Sequence, residues 1–128
     1  MIYTSNYSKH GDHPDAISIS RYVPHFFTGR TYPTLAPSES ILAQWRDAIA
    51  SNNLQRVRNG KVVFKERYNK EILDKLDPNI VWKEIGINAI LVCYESGKDF
   101  CHRHIAAAWL MEQLDLTITE LPARGRVK

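Results

Sequence analysis

The sequence predicts an α/β fold: a single compact domain over residues 1–128 in which a short, mostly parallel sheet is flanked by helices. Three observations predict it. NAILVCY, residues 88 to 94, is a continuous apolar run without alternation, the pattern of a central strand covered on both faces. Cys101 to Leu114 contains IAAAWLM, apolar enough to place this helix deep against such a sheet. The elements follow one another as strand, loop, helices, strand, helix and strand, and no internal repeat interrupts them. A chain of 128 residues buries roughly two thirds of its unfolded surface around one core, so it needs no covalent staples.

Ile2 to Tyr7 reads as a first short strand with Tyr3 and Tyr7 on one face, and Ala16 to Ser20 as a second, in which Ile17 and Ile19 alternate with serines. The link between them, SKHGDHPD, is shorter than the dozen or so residues of a helical crossover, so it is irregular or the strands are antiparallel. Tyr22 to Pro37, with three prolines and no sustained period, reads as a long loop. Its Phe26, Phe27 and Tyr32 either line a pocket or anchor the loop on the core. Ser38 is a suitable N-cap for a helix through about Ser51, with Ile41, Leu42, Trp45, Ala48 and Ile49 as its apolar stripe. NNLQRVRNGK reads as a polar connection, followed by a second amphipathic helix traced by Phe64, Tyr68, Ile72, Leu73 and Leu76. Asp77 as cap, Pro78 at the first helical position, the Val81, Trp82 and Ile85 stripe and Gly86 as a stop describe a short third helix. LTITEL, residues 116 to 121, is a last strand at an edge of the sheet.

The start of the chain lacks a basic stretch followed by a long apolar one, and no window approaches the roughly 18 apolar residues of a membrane span. The expectation is a cytoplasmic protein with no membrane contact, in which two cysteines remain thiols or bind metal. The net charge of +3 is unevenly spread. Arg56, Arg58, Lys61, Lys65, Arg67 and Lys70 are opposed only by Glu66, and Arg124, Arg126 and Lys128 lie in the tail. Such a cluster tracks phosphates or simply wets a helix face.

In an open α/β sheet, ligands gather beyond the carboxyl ends of the strands. Ser5 and Asn6 close the first strand, Arg21 follows the second, and Tyr94 and Glu95 follow the third. ESGKDF then leads into the last helix, with Asp99 as its cap, Phe100 at the first helical position and Cys101 in the first turn. The helix dipole together with Lys98, His102, Arg103 and His104 favours the Cys101 thiolate, while Asp99 opposes it. Cys93, inside an apolar strand, is the less reactive of the two. A phosphatase-type cysteine followed after five residues by an arginine is absent, since Asp99 stands at that place after Cys93. Cys93, Cys101 and one or both of His102 and His104 have the atom types for zinc, but adjacent Cys-His-Arg-His is not the spacing of a finger or knuckle, so no metal or cofactor is assigned and a zinc site stays an open alternative.

LVCYESGKDFCHRHIAAAWL, residues 91 to 110, resembles the closing signature of the domain of unknown function 488 family, in which a strand ends in Cys-Tyr-Glu and a helix opens with Cys-His-Arg. SISR at 18 to 21 resembles that family's second strand and its arginine, FFTGRTYPTLAPS at 26 to 38 its Leu-Ala-Pro loop, and WRDAIA with KERYNKEIL its helical middle. The resemblance implies an α/β domain and marks Arg21, Cys93, Glu95, Cys101, His102 and Arg103 as motif positions. SKHGDHPD departs from the longer members, where a full helix separates the first two strands, so Ser5 and Asn6 are not carried over.

The leading reading is a small enzyme or ligand-binding domain acting on an anionic small molecule such as a nucleotide. Cys101, His102 and Glu95 are its catalytic candidates, and Arg21 and Arg103 bind the substrate. Both guanidinium groups are expected in one cleft with the Cys101 sulfur, under the loop from Tyr22 to Pro37. Two other classes remain open: a nucleic-acid-binding accessory protein using the 56 to 70 face, and a zinc-stabilised interaction module.

Overall fold

The computed structural model describes residues 1–95 and 100–122. Five strands, β1 (Ile2–Asn6), β2 (Ala16–Ser18), β3 (Arg30–Thr31), β4 (Ile90–Cys93) and β5 (Ile118–Glu120), form one sheet in the order β3-β2-β4-β1-β5. Every pairing is parallel. β4 lies between β1 and β2, and all four of its residues are buried, as its unbroken apolar run requires.

The question left open at SKHGDHPD is resolved in favour of parallel strands that are not neighbours. The link carries one short helix, α1 (Tyr7–His10), whose N-cap Asn6 accepts from Lys9 N at 2.9 Å. It moves the chain two places along the sheet, and β4 later fills the gap.

The helices are α2 (Glu39–Ala50), α3 (Leu54–Glu71), α4 (Pro78–Ile85) and α5 (His102–Leu114). Ser38 caps α2 through Ile41 N, and Asp77 caps α4 through Asn79 N. Gly86 ends α4 at φ +87°, a left-handed conformation that costs a residue with a Cβ. One expectation fails at NNLQRVRNGK, which is not a connection but the first half of α3, capped by Asn53. Its apolar signal is weak because α3 meets α2 through Gly60. A Cβ there would lie 2.7 Å from the Ala48 Cβ, so the two helices touch where a larger residue cannot fit. The helix also stops before Leu76, and Leu73–Lys75 forms a separate 3₁₀ turn. The loop from Tyr22 to Pro37 contains β3 and a 3₁₀ turn at Pro33–Leu35; two exposed strand residues leave no periodicity to read.

The two faces of the sheet are covered unequally. Leu91, Ile17 and Ile19 face a core with Ile41, Phe64, Tyr68, Val81, Ile85, Ala106 and Leu110, drawn from α2 to α5. Ile90, Val92 and Ala16 face a smaller cluster with Tyr7, Tyr3, Phe27 and Leu121. The right-handedness of parallel crossovers accounts for this split. The connections from β3 to β4 and from β4 to β5 run one way along the sheet, and that from β1 to β2 runs the other. Among the described residues no helix is long and apolar enough to cross a membrane.

Candidate functional site

Parallel pairing puts the carboxyl ends of the strands along one edge of the sheet, and polar side chains are buried there in unusual number. Ser5, Asn6, His10, Ser18, Ser20, His102 and Arg103 are all buried. Ser18 at the end of β2 and Ser20 just beyond it are inside: the Tyr7 hydroxyl lies 2.6 Å from Ser18 Oγ and 2.8 Å from Ser20 Oγ. Ser5 Oγ and His10 Nδ1 share a hydrogen bond of 2.6 Å.

Between the ends of β2 and β4 and the starts of α2 and α5 lies a cavity of about 200 Å³. Cys93, Cys101 and His102 are its buried part, and Trp45, Phe64 and Phe100 supply its rings. Exposed Arg21, Tyr22, Arg46 and Glu95 stand at its rim. The Tyr22 ring has the Arg21 guanidinium 5.8 Å and the Arg46 guanidinium 5.9 Å from its centroid. The Tyr22 hydroxyl donates to Glu39, whose other carboxylate oxygen accepts from Arg46 at 3.2 Å. These bonds hold the Glu39 carboxyl below its ordinary range.

Cys93 and Cys101 form a disulfide, which corrects the expectation of two separate thiols. The end of β4 and the start of α5 abut across a short connection, so the two sulfurs meet. Cys101 is the N-cap of α5, with extended backbone and no side-chain cap bond, and not a member of its first turn. The assignments made for Lys98 and Asp99, and the cationic tail at Arg124, Arg126 and Lys128, lie outside the described residues.

His102 Nε2 is 2.7 Å from the Ile19 carbonyl oxygen. A carbonyl only accepts, so Nε2 carries the proton and Nδ1 presents its lone pair to Cys101 Sγ, 4.0 Å away. Burial lowers the His102 pKa to about 4, with the Arg103 charge adding to that effect, so the imidazole is neutral near pH 7. The reactive atoms of Cys93, Cys101 and His102 all lie within 4.8 Å of one another.

Of the five residues proposed from sequence, Cys101, His102, Glu95 and Arg21 border this cavity, and Arg103 does not. Arg103 is completely buried behind it. Its Nη1 donates to the Glu95 carbonyl at 2.6 Å and to Cys93 Sγ at 3.2 Å, while Nε and Nη2 grip the two carboxylate oxygens of Glu120 at 3.1 and 3.0 Å. Glu120 also accepts from Thr4 and Lys9. Burial pushes its carboxyl up, yet the bonds from Arg103, Thr4 and Lys9 outweigh that and bring its pKa down to about 2. Phe26, Phe27 and Tyr32 do not line the cavity; of their loop, Tyr22 and Pro37 at its two ends reach it.

Sequence reasoning missed Arg46, Trp45 and Glu120. The first two sit on α2 at positions that read as an ordinary surface and stripe. Glu120 carried a usable signal, because an acidic residue at the end of an edge strand falls on the same edge of the sheet as Arg103.

A family model described as the active DUF488-N3 subclade matches residues 3–114, from β1 to the end of α5. Neither the curated proteins nor the solved structures hold a match to the chain.

Proposed function

The chain belongs to the domain of unknown function 488 family, and from its cleft we propose that it binds an anionic small molecule carrying a planar ring, such as a nucleotide. One observation carries the reading: a single cavity combines an aromatic wall, two guanidinium groups at the rim and a buried sulfur and imidazole group. A volume of about 200 Å³ falls below the roughly 300–1,000 Å³ of sites that enclose a whole drug-sized ligand. A ring therefore lies against the wall of Trp45, Phe64 and Phe100, whose rings pack on one another, and the charged remainder stays outside with Arg21 and Arg46. Arg46 takes the place that sequence gave to Arg103, whose fork is occupied by Glu120. Cys101 and His102 at depth and Glu95 at the rim are then the groups that meet the reacting part of the ligand. The description of the matching subclade as active supports turnover there.

Calorimetric titration of adenosine monophosphate, adenosine and inorganic phosphate tests this. Charge-assisted hydrogen bonds contribute about 1.5–3 kcal/mol each, so the nucleotide should bind at least tenfold more tightly than the nucleoside, and that advantage should vanish in an Arg21→Ala, Arg46→Ala double variant. Equal affinity of the double variant and the unaltered protein for the nucleotide would sink the reading.

The nucleic-acid alternative draws its support from Arg56, Arg58, Lys61, Lys65 and Lys70, which are exposed on α3. It is the weaker of the two. Arg67 is engaged by Glu71 and Gln44, and the helical period places Arg58 and Lys65 on one flank of α3 and Arg56 and Lys70 on the other. A gel-shift series in salt is its test: affinity falling steeply with salt supports it, and the absence of a complex at low salt removes it.

A further inference from the structure

We propose that, once the Cys93–Cys101 disulfide is reduced, Cys93, Cys101 and His102 form a three-ligand site for zinc or a similar divalent transition ion, with the fourth position open to the cavity. This gives a chemical role to the deep end of the cleft described above, and the ion's binding does not depend on the nucleotide reading.

Geometry is the first argument. The three ligand atoms lie within 4.8 Å of one another, and His102 Nδ1 is 4.0 Å from Cys101 Sγ. In a tetrahedral zinc site, with bonds of about 2.3 Å to sulfur and 2.0–2.1 Å to nitrogen, neighbouring ligand atoms stand roughly 3.5–3.8 Å apart. The Cys101–His102 pair is already within a few tenths of an ångström of that spacing, and reduction frees the two sulfurs, now bonded to each other, to move apart to it. The Cα atoms of the cysteines are 7.4 Å apart, wider than the roughly 4.4–6.8 Å usual for a disulfide, which leaves room for an ion between two thiolates.

The surroundings of each ligand are the second argument. A metal-bound histidine characteristically donates its other N–H to a carbonyl or carboxylate, which fixes the ring and the tautomer. His102 already does so through Nε2 to Ile19 O, leaving Nδ1 as the ligand atom. Arg103 Nη1 donates to Cys93 Sγ at 3.2 Å and so supports a thiolate there. Buried charge balances as well: two thiolates neutralise a divalent ion, and Glu120 neutralises Arg103. No fourth His, Cys, Asp or Glu joins the group among the described residues. Three protein ligands with one open position is the pattern of a catalytic zinc site and not of a closed structural one.

The disulfide and the metal site are alternative states of one sulfur pair. Reduction by a phosphine adds two electrons and two protons to the disulfide to give two thiols, and the phosphine becomes its oxide with an oxygen from water. The incoming ion then displaces both thiol protons to solvent.

Cobalt(II) titrated without air into the phosphine-reduced protein, with no nucleotide present, is the test. The expected result is thiolate-to-cobalt charge transfer and the visible bands of tetrahedral cobalt, saturating at one equivalent and displaced by zinc. Cys93→Ser and Cys101→Ser should each weaken binding at least a hundredfold, and His102→Ala at least tenfold, while the Arg21→Ala, Arg46→Ala double variant binds cobalt unchanged. Should the cysteine variants fail to fold, alkylation of the unaltered reduced protein decides: one equivalent of zinc should slow labelling of both cysteines at least tenfold. Absence of charge transfer in folded, reduced protein, equal cobalt uptake by the oxidised protein, or alkylation indifferent to zinc would each overturn the assignment.

Discussion

Replacing Glu120 by Gln removes the charge that faces a completely buried guanidinium. Arg103 has no exposed side-chain surface, and Glu120 keeps about a quarter of its own, with the pair joined at 3.0 Å. Breaking a buried ion pair costs about 3–5 kcal/mol. Here the loss is smaller, because Gln retains an acceptor oxygen and Arg103 keeps the Glu95 carbonyl and Cys93 Sγ. The expected destabilisation is about 2 kcal/mol. The pH dependence gives an independent figure. The Glu120 pKa falls from 4.5 to about 2 on folding, which for a wholly buried group is worth about 3 kcal/mol. Discounting for solvent at the exposed part of the side chain brings this to about 2 kcal/mol as well. Because the folded pKa lies below the unfolded one, the unfolded chain binds more protons between them. The contribution is therefore complete above pH 4.5 and lost as pH falls towards 2. Urea denaturation at pH 7 and at pH 3 measures both effects: Glu120→Gln should be about 2 kcal/mol less stable at pH 7, with a gap that narrows at pH 3. A variant within about 0.5 kcal/mol of the unaltered protein at pH 7, or a gap indifferent to pH, would show that Glu120 does not stabilise the fold through its charge.

Gly60→Ala should lower the melting temperature, because a Cβ 2.7 Å from Ala48 overpacks the α2–α3 contact by about 1–3 kcal/mol and outweighs the gain of about 1 kcal/mol in helix propensity. Tyr7→Phe removes the hydroxyl shared by Ser18 and Ser20, and thermal denaturation should show a cost of about 1–3 kcal/mol from the buried hydroxyls it leaves. Arg46→Ala breaks an exposed pair with Glu39 and should leave urea stability within about 1 kcal/mol while weakening nucleotide binding at least fivefold by calorimetry.

Legibility in the sequence followed burial and chain chemistry. NAILVCY announced the central strand because nothing polar survives between two covered faces, and Ser38, Asp77-Pro78 and Gly86 announced helix ends because each supplies a specific bond or backbone angle. The first half of α3 was hidden because its contact with α2 is made by a glycine, and periodicity counts side chains. The burial of Ser18 and Ser20 was not legible in their alternation with Ile17 and Ile19, because the hydroxyl of Tyr7 that satisfies them comes from another element. At the site, Cys101, His102, Glu95 and Arg21 share a cavity border because they follow the ends of two strands that prove to be parallel neighbours. Arg103 was placed on the correct helix turn but its partner was not, since the pairing with Glu120 depends on β5 lying beside β1. The disulfide depends likewise on a distance between two elements that sequence spacing leaves undetermined.

Nucleotide binding in the cleft is seen most directly in a crystal structure of the protein soaked or grown with adenosine monophosphate. The ring should be seated against Trp45, Phe64 and Phe100, with phosphate oxygens within hydrogen-bond reach of Arg21 and Arg46 and the reacting side of the ligand over Cys101 and His102. Density for the nucleotide along α3, or an empty cleft at a concentration that saturates binding in solution, would contradict it.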